Sequence, residues 1–250
     1  HVRSRRQRQM CIRDSSIGLL MGEPKSIDPT LLVTDELRAI SKKKVKTDDD
    51  KAVLAPFWER TLSVGAQSYL KTICKEFLFS YRRDLNTKEL KKGLAVEDDA
   101  IALRNRVRFQ SHIKNTERRT NDWLTGECDI YVPGECTIDI KSSWSLDTFP
   151  LTSADCDDTV YYWQGVAYGI LWPDVKFHEV TFCMVPTPEE LCRYEDPRAH
   201  DVAHINPAHR VTSIQYPSDN EAARRLHVKA LEGQKYLDRF IEQFNLEHSQ

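Results

Sequence analysis

The sequence contains no apolar run of about 18 residues, the length that a membrane-spanning helix requires. A basic segment followed by an apolar one, which would direct secretion, is also missing. The seven cysteines include no pair with CxxC spacing, which disfavours the zinc and redox motifs built on such pairs. We therefore expect reduced, mostly buried thiols in a cytoplasmic protein that does not contact membranes.

Net positive charge, which is common in proteins that bind nucleic acid, is lacking as well. The 250 residues carry a formal charge of −2, and this becomes −6 when residues 1–15, with five arginines and one aspartate, are set aside. That segment contains RRQRQMCIRDS, which a common sequencing adapter encodes in one reading frame. We predict that 1–15 is a disordered artefact and that the native start is absent. A basic N-terminal arm is the alternative.

Contact with DNA would therefore depend on a local basic strip. Taken one at a time, the basic side chains are better explained as parts of solvated helix faces or loops. The candidates for such a strip are Lys42, Lys43, Lys44, Lys46, Arg82, Arg83, Lys91, Lys92, Arg104, Arg106 and Arg108.

Apolar spacing, capping residues and turn residues predict the order of the elements. Residues 16–54 are predicted to be a loosely packed lead-in, and residues 55–250 a single domain. Helices around a small mixed sheet indicate an α/β or α+β fold. The predicted helices cover 55–81, 87–106, 157–171, 188–192 and 218–244, and the predicted strands cover 127–132, 135–141, 178–185 and 210–215.

The hairpin predicted over 127–141 can form in two registers. A two-residue loop at Pro133-Gly134 would leave both of its faces chemically mixed. Pairing Ile130 with Ile138 instead makes one face wholly apolar, so the pattern favours this register, which needs an odd loop or a bulge. The other face then carries Glu127, Asp129, Tyr131, Thr137, Asp139 and Lys141.

Asp129 and Asp139 are opposite each other on that predicted polar face. Two like charges about 5 Å apart across strands cost stability, and a cation between them removes this cost. Carboxylate oxygens suit Mg²⁺ or Mn²⁺ better than zinc. Lys141 points the same way as Asp139 and can hold or activate a water molecule. The simpler alternative is a solvated face with an ion pair between Glu127 and Lys141.

Asp129, separated by nine residues from Asp139-Ile140-Lys141, resembles with them the signature of the PD-(D/E)XK nuclease superfamily. Two further motifs resemble those of RecB-type and phage lambda-type exonucleases, especially virus-encoded ones. They are GLAVE, which ends at Glu97, and QGVAY, which spans residues 164–168. The resemblance covers about residues 55–245. Cys128 replaces the proline that usually precedes the first aspartate.

The resemblance implies a restriction-endonuclease-like core and a role for each matched residue. Asp129, Asp139 and the backbone carbonyl of Ile140 would bind Mg²⁺, for which Mn²⁺ would substitute. Glu97 would bind a second ion or an ordered water. Lys141 would orient and help to deprotonate the attacking water. The residues that would position the scissile strand are Gln164 and Tyr168.

The implied function is an Mg²⁺-dependent DNA exonuclease of viral recombination or repair. It would leave 5′-phosphate and 3′-hydroxyl ends in the host cytoplasm. A single-strand annealing protein and a second copy of the chain are the partners to consider. The alternatives on the same fold are a structure- or site-specific endonuclease and a catalytically silent DNA-binding protein.

Other cofactors and base stacking have weaker support in the sequence. We expect no iron–sulfur cluster, because Cys183 and Cys192 lack the tight spacing that clusters use. Zinc at His200 and His204 would require their loop to be helical. A group of aromatic residues would either stack on unpaired bases or pack in the core. These residues are Trp144, Tyr161, Tyr162 and Trp163.

Overall fold

The structure is a computed structural model that describes residues 10–82 and 86–249. Within these residues the chain divides into two compact units. The first unit contains residues 10–82, 120–124 and 220–249, and the second contains residues 86–119 and 125–219. No helix in the described part has the length and apolar character that crossing a membrane would demand. The predicted artefact falls in part on residues 1–9, which lie outside the described residues.

The helices and strands are named here in chain order. The helices are α1 (Ile17–Leu20), α2 (Asp35–Lys42), α3 (Asp48–Arg60), α4 (Val64–Phe79), α5 (Lys88–Ala95), α6 (Glu97–Arg108), α7 (Thr159–Leu171), α8 (Glu189–Cys192) and α9 (Asn220–His248). The strands are β1 (Ile12–Arg13), β2 (Arg119–Thr120), β3 (Leu124–Gly126), β4 (Ile130–Val132), β5 (Cys136–Ser142), β6 (Phe177–Cys183) and β7 (Val211–Pro217).

The first unit is built on the packing of α9 against α4 and α1. Gly233 of α9 has no side chain, and a Cβ placed there would lie 3.5 Å from Leu70 and 3.6 Å from Leu20. This close approach leaves Leu20 and Ile17 without solvent exposure. Within the region predicted to be a loosely packed lead-in, Ile17 and Leu20 are therefore buried, because α9 supplies the partner surface from the far end of the chain.

Ile12 and Arg13, which belong to the segment predicted to be disordered, form strand β1. The backbone N–H of Ile12 donates to the carbonyl of Trp123 over 2.8 Å. Ile12 is 1% exposed, and Arg13 forms an ion pair with Glu76. These contacts hold β1 at the edge of a small sheet of order β1-β3-β2.

The single helix predicted over 55–81 is two helices, α3 and α4. Thr61 has extended backbone angles and its hydroxyl donates to the carbonyl of Phe57, which ends α3. The Ser63 side chain then accepts the N–H of Ala66 and begins α4. The helix predicted over 87–106 is likewise interrupted, at Val96 between α5 and α6. In each case a local change of backbone direction outweighs the continuous helical spacing of the apolar residues.

The second unit contains a mixed sheet of order β4-β5-β6-β7, which confirms the predicted fold class. Strands β5 and β6 are parallel, and the other two pairs are antiparallel. Ile130 pairs with Ile138, which confirms the predicted register of the hairpin. The loop has three residues, and Gly134 takes the left-handed conformation (φ 72°) that glycine tolerates best.

Both faces of β5 are covered. On one face Ile138 packs with Ile130 and with Ile101 of α6. The other face, predicted to be a polar surface, is also buried, because Thr137 is 0% and Asp139 only 5% exposed. The chain crosses from β5 to the parallel strand β6 through α7, and such a crossover helix covers one face of the sheet.

The approach of α7 to β6 depends on Gly165. A Cβ at this position would lie 2.8 Å from Cδ2 and 2.9 Å from Cβ of His178, which is too close for real atoms. Gly165→Ala is expected to lower the free energy of unfolding by about 1–3 kcal/mol, because α7 must move away from the sheet. Urea unfolding measures this change.

Gly169→Ala is the matched control for this substitution. Gly169 lies one turn later on α7, and a Cβ there would meet nothing within 4 Å. This variant is expected to be neutral or slightly more stable than the parent, since alanine favours helices more than glycine does. Equal stabilities for the two alanine variants would contradict the proposed close packing.

Candidate active site

Asp129 lies immediately before β4 and reaches across to β5. Its Oδ2 accepts the backbone N–H of Ile140 over 2.5 Å. The carbonyl of Asp129 accepts the N–H of Asn115 over 2.7 Å. The sequence predicted a strand from residue 127, but the ladder begins at Ile130, since residues 128 and 129 are bonded to Asn115 instead. The carboxylate of Asp129 is therefore fixed against the backbone of the strand that carries Asp139.

Asp139 lies in the middle of β5 and is 5% exposed. Its Oδ1 accepts a hydrogen bond of 3.3 Å from Nε2 of Gln164. Its buried Oδ2 forms an ion pair with the ammonium of Lys141 and has no hydrogen bond of normal geometry to the described residues. This oxygen of the buried carboxylate is thus held by the Lys141 ammonium.

The carboxylates of Asp129 and Asp139 repel each other. Burial and the charge of Asp139 together raise the pKa of Asp129 to about 7, against the opposing effects of the Ile140 N–H and of Lys141. Burial would lower the pKa of Lys141, but the charges of Asp139 and Asp129 outweigh it and raise that pKa above its ordinary value. The site therefore carries more negative charge than its lysine balances and favours an additional cation.

Gln164 and Tyr168 lie one turn apart on α7 and form one hydrogen-bonded unit. Nε2 of Gln164 donates to the hydroxyl of Tyr168 over 3.0 Å as well as to Asp139. The hydroxyl of Tyr168 donates to the carbonyl of Glu127 over 3.1 Å. Because Tyr168 is 1% exposed, it acts on the site through Gln164 and the backbone.

Glu97 is the first residue of α6 and borders the two aspartates. Its charge contributes to the raised pKa of Asp129. Oε2 of Glu97 accepts a hydrogen bond of 2.7 Å from Nζ of Lys114. The structure thus brings all the predicted site residues into one region, with Glu97 paired to a lysine that the sequence analysis did not identify.

Three contributors to the site were missed because they lie in polar or apolar stretches without a motif. Lys114 and Asn115 belong to a segment without regular structure, for which the sequence predicted no element. His178 is buried in β6 and contacts Thr137 through Nδ1 at 3.0 Å. Burial lowers the pKa of His178 to about 4, so its ring is neutral at pH 7. No local signal distinguishes these residues from ordinary ones.

Two members of the predicted basic strip are structural and do not face solvent. Lys92 is 0% exposed and donates to the carbonyls of Ser143 and Trp144 over 2.5 and 3.0 Å. Arg104 is 2% exposed and pairs with Glu179. Both are thereby excluded from a DNA-binding strip. Arg83 lies outside the described residues. The members that remain exposed are Lys42, Lys43, Lys44, Arg82, Lys91, Arg106 and Arg108.

Trp144 and His200 belong to a buried hydrogen-bond network. Trp144 is 8% exposed and its Nε1 donates to Glu195 over 2.9 Å, so this residue packs in the protein and is not available to stack on bases. The ring nitrogens of His200 contact Thr187 at 3.0 Å and Glu195 at 3.1 Å. The loop is not helical at His204, and the predicted alternative of a zinc pair lacks its structural basis.

The residues of the site fit a hard divalent cation. Asp139 has a buried oxygen whose partner is the Lys141 ammonium, and burial together with the charge of Asp139 raises the pKa of Asp129. Among the described residues no three histidine, cysteine or carboxylate side chains form a ready metal cluster. The protein would therefore supply two carboxylates and a carbonyl, with water in the remaining positions, as is usual for Mg²⁺.

The Ile140 carbonyl is suitably directed for this purpose. The N–H of Ile140 donates to Asp129, so it points away from β6 and toward the site. Within a strand the carbonyl of a residue points to the same side as its N–H. The ladder between β4 and β5 ends at the pair of Ile130 and Ile138. The carbonyl of Ile140 consequently lies beyond the last ladder pair, on the side of Asp129.

The fold is similar to the solved structures of a phage-related exonuclease and of an alkaline exonuclease. A phage-related exonuclease from Haemophilus somnus 129PT has 28% sequence identity and a TM-score of 0.75, over 94% of this chain and 96% of that one. An alkaline exonuclease from Laribacter hongkongensis has 10% identity and a TM-score of 0.58, over 97% and 95% of the two chains. The same enzyme with dAMP has a TM-score of 0.59 at 10% identity, over 97% and 96%.

Neither a protein-family model nor a curated protein matches the chain. The similarity to these solved structures extends over nearly the whole of each chain. The resemblance that the motifs indicated is thereby confirmed, and the chain has the restriction-endonuclease-like PD-(D/E)XK fold of the lambda-type exonucleases.

Proposed function

We propose that this protein is a divalent-metal-dependent exonuclease that hydrolyses the phosphodiester bonds of DNA. The observation that carries the proposal is the meeting of two mutually repelling aspartates, Asp129 and Asp139, with Lys141 in a largely buried site. The likeness to a phage-related exonuclease supports the same reaction class and a setting in phage recombination or repair. An alkaline exonuclease of this fold has been crystallised with dAMP, a mononucleotide of the kind that an exonuclease releases.

Asp129, Asp139 and the carbonyl of Ile140 would hold one Mg²⁺, and Glu97 would hold a second ion or an ordered water. When bound, the cation would polarise the phosphate and make a coordinated water more acidic. Mn²⁺ has similar ligand preferences and would substitute for it. The excess negative charge of the metal-free site is the property that supports this assignment.

Lys141 would orient the attacking water and stabilise charge on the phosphate. Its side chain is half-buried, and its ammonium is held between Asp139 and the face of Tyr161, 5.4 Å from the ring centroid. The charges of both aspartates raise the pKa of Lys141. In the metal-free site Lys141 is therefore a cation and hydrogen-bond donor, and its action as a base requires those charges to be neutralised first.

Gln164 would position the carboxylate of Asp139 and, with Tyr168, one side of the path of the scissile strand. The Gln164 amide donates two hydrogen bonds, one to Asp139 and one to Tyr168, and its own position is fixed by α7. Such a fixed donor restricts the rotation of the Asp139 side chain. Because the carboxylate is already oriented, it loses less conformational entropy when it binds a ligand.

The function is tested with end-labelled linear duplex DNA and covalently closed circular DNA of the same sequence. The parent protein with Mg²⁺ is expected to release mononucleotides or short products from the ends of the linear DNA and to leave closed circles intact. EDTA is expected to abolish the reaction. A Lys141→Ala preparation purified in parallel reports any contaminating nuclease.

Other outcomes of this assay identify the alternative functions. Cleavage of closed circles, or discrete internal fragments, would show a structure- or site-specific endonuclease. DNA binding that is equal with EDTA and with Mg²⁺, without any cleavage in Mg²⁺ or Mn²⁺, would show a catalytically silent DNA-binding protein. Adding a single-strand annealing protein to the digestion tests the proposed partner through a change in digestion rate. Size-exclusion chromatography of the nuclease alone tests the proposed homo-oligomer through its molecular mass.

A further inference from the structure

The ion pair between Lys114 and Glu97 lies beside the aspartates to which the proposed function assigns a metal ion. Nζ of Lys114 is 2.7 Å from Oε2 of Glu97, and the two side chains are 43% and 21% exposed. We infer that the Lys114 ammonium pairs with the Glu97 carboxylate in the metal-free protein and competes with the divalent ion for that carboxylate. This inference rests on the proposed function.

The backbone next to Lys114 is anchored to Asp129. The N–H of Asn115 donates to the carbonyl of Asp129 over 2.7 Å, and the Asn115 side chain donates to the carbonyl of Cys128 over 2.9 Å. A lysine adjacent to so firmly bonded a residue is confined to the neighbourhood of Asp129. The main chain from which Lys114 reaches Glu97 is therefore positioned by the fold.

The other end of the segment is anchored to the end of α6. Gln110 N–H donates to the carbonyl of Asn105 over 2.9 Å. The Asn105 side chain exchanges two hydrogen bonds with the backbone of His112, of 3.2 and 2.8 Å. Since Glu97 begins the same helix, the segment runs back along α6 from its last turn to its first. This path explains how residue 114 reaches residue 97.

Competition follows from the charges. Lys141 is already paired with Asp139, so Lys114 is a second ammonium in the same acidic region. An ammonium and a divalent ion on one carboxylate repel each other strongly at contact distance. Binding of the ion at Glu97 therefore requires Lys114 to withdraw, and its partly exposed side chain has access to solvent. The lost hydrogen bond lowers the affinity of the protein for the ion.

The inference is tested by calorimetric titration of the metal-free full chain with Mn²⁺, without DNA and at constant pH and salt. Lys114→Gln is expected to raise the apparent affinity for Mn²⁺ by about 2- to 5-fold, the scale of a partly exposed ion pair. Lys114→Arg keeps the charge and is expected to bind Mn²⁺ like the parent. Because Lys114 is exposed in part, both variants are expected to fold, which circular dichroism verifies.

Two further variants separate competition from general electrostatics. Arg106→Gln removes the same charge from an exposed position of α6 and is expected to change the affinity less than Lys114→Gln. In a Glu97→Gln background, Lys114→Gln is expected to have no effect. The inference would be overturned if Lys114→Gln bound Mn²⁺ with unchanged or lower affinity, or if Arg106→Gln gained as much affinity as Lys114→Gln. Either result would leave the proposed function intact. A folded parent that binds no Mn²⁺ would overturn both the inference and the proposed metal dependence.

Discussion

Lys141→Ala is expected to lower the rate of linear DNA digestion by about 10²- to 10⁴-fold, the usual range for loss of a group that assists proton transfer. The ammonium of Lys141 forms an ion pair with the carboxylate of Asp139. Lys114 is engaged with Glu97 and is not a ready replacement. Removal of Lys141 thus leaves the attacking water without its positioned donor.

The measurement compares initial rates of product release from end-labelled DNA at saturating Mg²⁺. Lys75→Ala is the matched control, because Lys75 is exposed on α4, lies outside the candidate basic strip, and its loss removes the same charge. The control is expected to digest DNA at nearly the parental rate. A folded Lys141→Ala protein with more than about a tenth of the parental rate would show that Lys141 is not a catalytic residue.

Loss of Lys141 also has a consequence for stability that does not depend on activity. Asp129 and Asp139 then face each other without the cation that partly balances them. The metal-free variant is expected to melt at a lower temperature than the parent, and Mg²⁺ is expected to restore more of its stability than it restores in the parent. The melting curves with and without Mg²⁺ therefore report on the acidic pair directly.

Arg104→Met is expected to lower the free energy of unfolding by about 3–5 kcal/mol, the usual cost of breaking a buried ion pair. Arg104 is 2% exposed and donates from Nε and Nη2 to Oε1 of Glu179 over 3.0 and 2.8 Å. Without it the carboxylate of Glu179 remains buried with the Thr181 hydroxyl and the Gln215 amide as its donors. Its negative charge then has no buried cation to balance it.

Urea unfolding of three variants checks this prediction. Arg104→Met with Glu179→Leu is expected to recover most of the lost stability, since apolar side chains often replace a buried ion pair at little cost. Arg106→Met, exposed on the same helix, is expected to change stability by less than about 0.5 kcal/mol. A loss for Arg104→Met no larger than for Arg106→Met would show that the pair does not support the fold.

Arg104 also contacts the segment that leads to the candidate active site. Nη1 of Arg104 donates to the side chain of Gln110 over 2.9 Å and contacts His112 at 3.3 Å. Both residues belong to the segment that leads to Lys114 and Asn115, and Asn115 holds the backbone of Asp129. We therefore expect Arg104→Met to weaken Mn²⁺ binding even under conditions in which the variant is fully folded.

The register of the hairpin was predictable from the local sequence pattern. Alternation of apolar and polar residues was sufficient to predict the pairing of Ile130 with Ile138, because a shift by one residue would turn every apolar side chain to the wrong face. From that register the two aspartates and the lysine were predicted to lie together, and the structure has Asp129 just before β4 with Asp139 and Lys141 on β5. The motif of α7 was visible for the same reason, since Gln164 and Tyr168 lie four residues apart on one helix face.

The ends of the helices and the long-range contacts were harder to predict from the sequence. Apolar spacing alone did not reveal the breaks at Thr61 and at Val96, where side-chain capping and a change of backbone angles end one helix and begin another. The order of residues 10–15 depends on Trp123, more than a hundred residues away. Contacts of that sequence separation leave no periodic signal.

The sequence by itself determined the mixed fold class and the hairpin register and was sufficient to propose the acidic, lysine and glutamine side chains of the site, because each depends on spacing within one element or on a recognisable motif. Only the tertiary structure decided that the polar face of β5 is buried under α7, that Lys92 and Arg104 are structural, and that Lys114 pairs with Glu97. These are contacts between segments far apart in the chain, and their energies depend on burial and on charges that come together only in the folded protein.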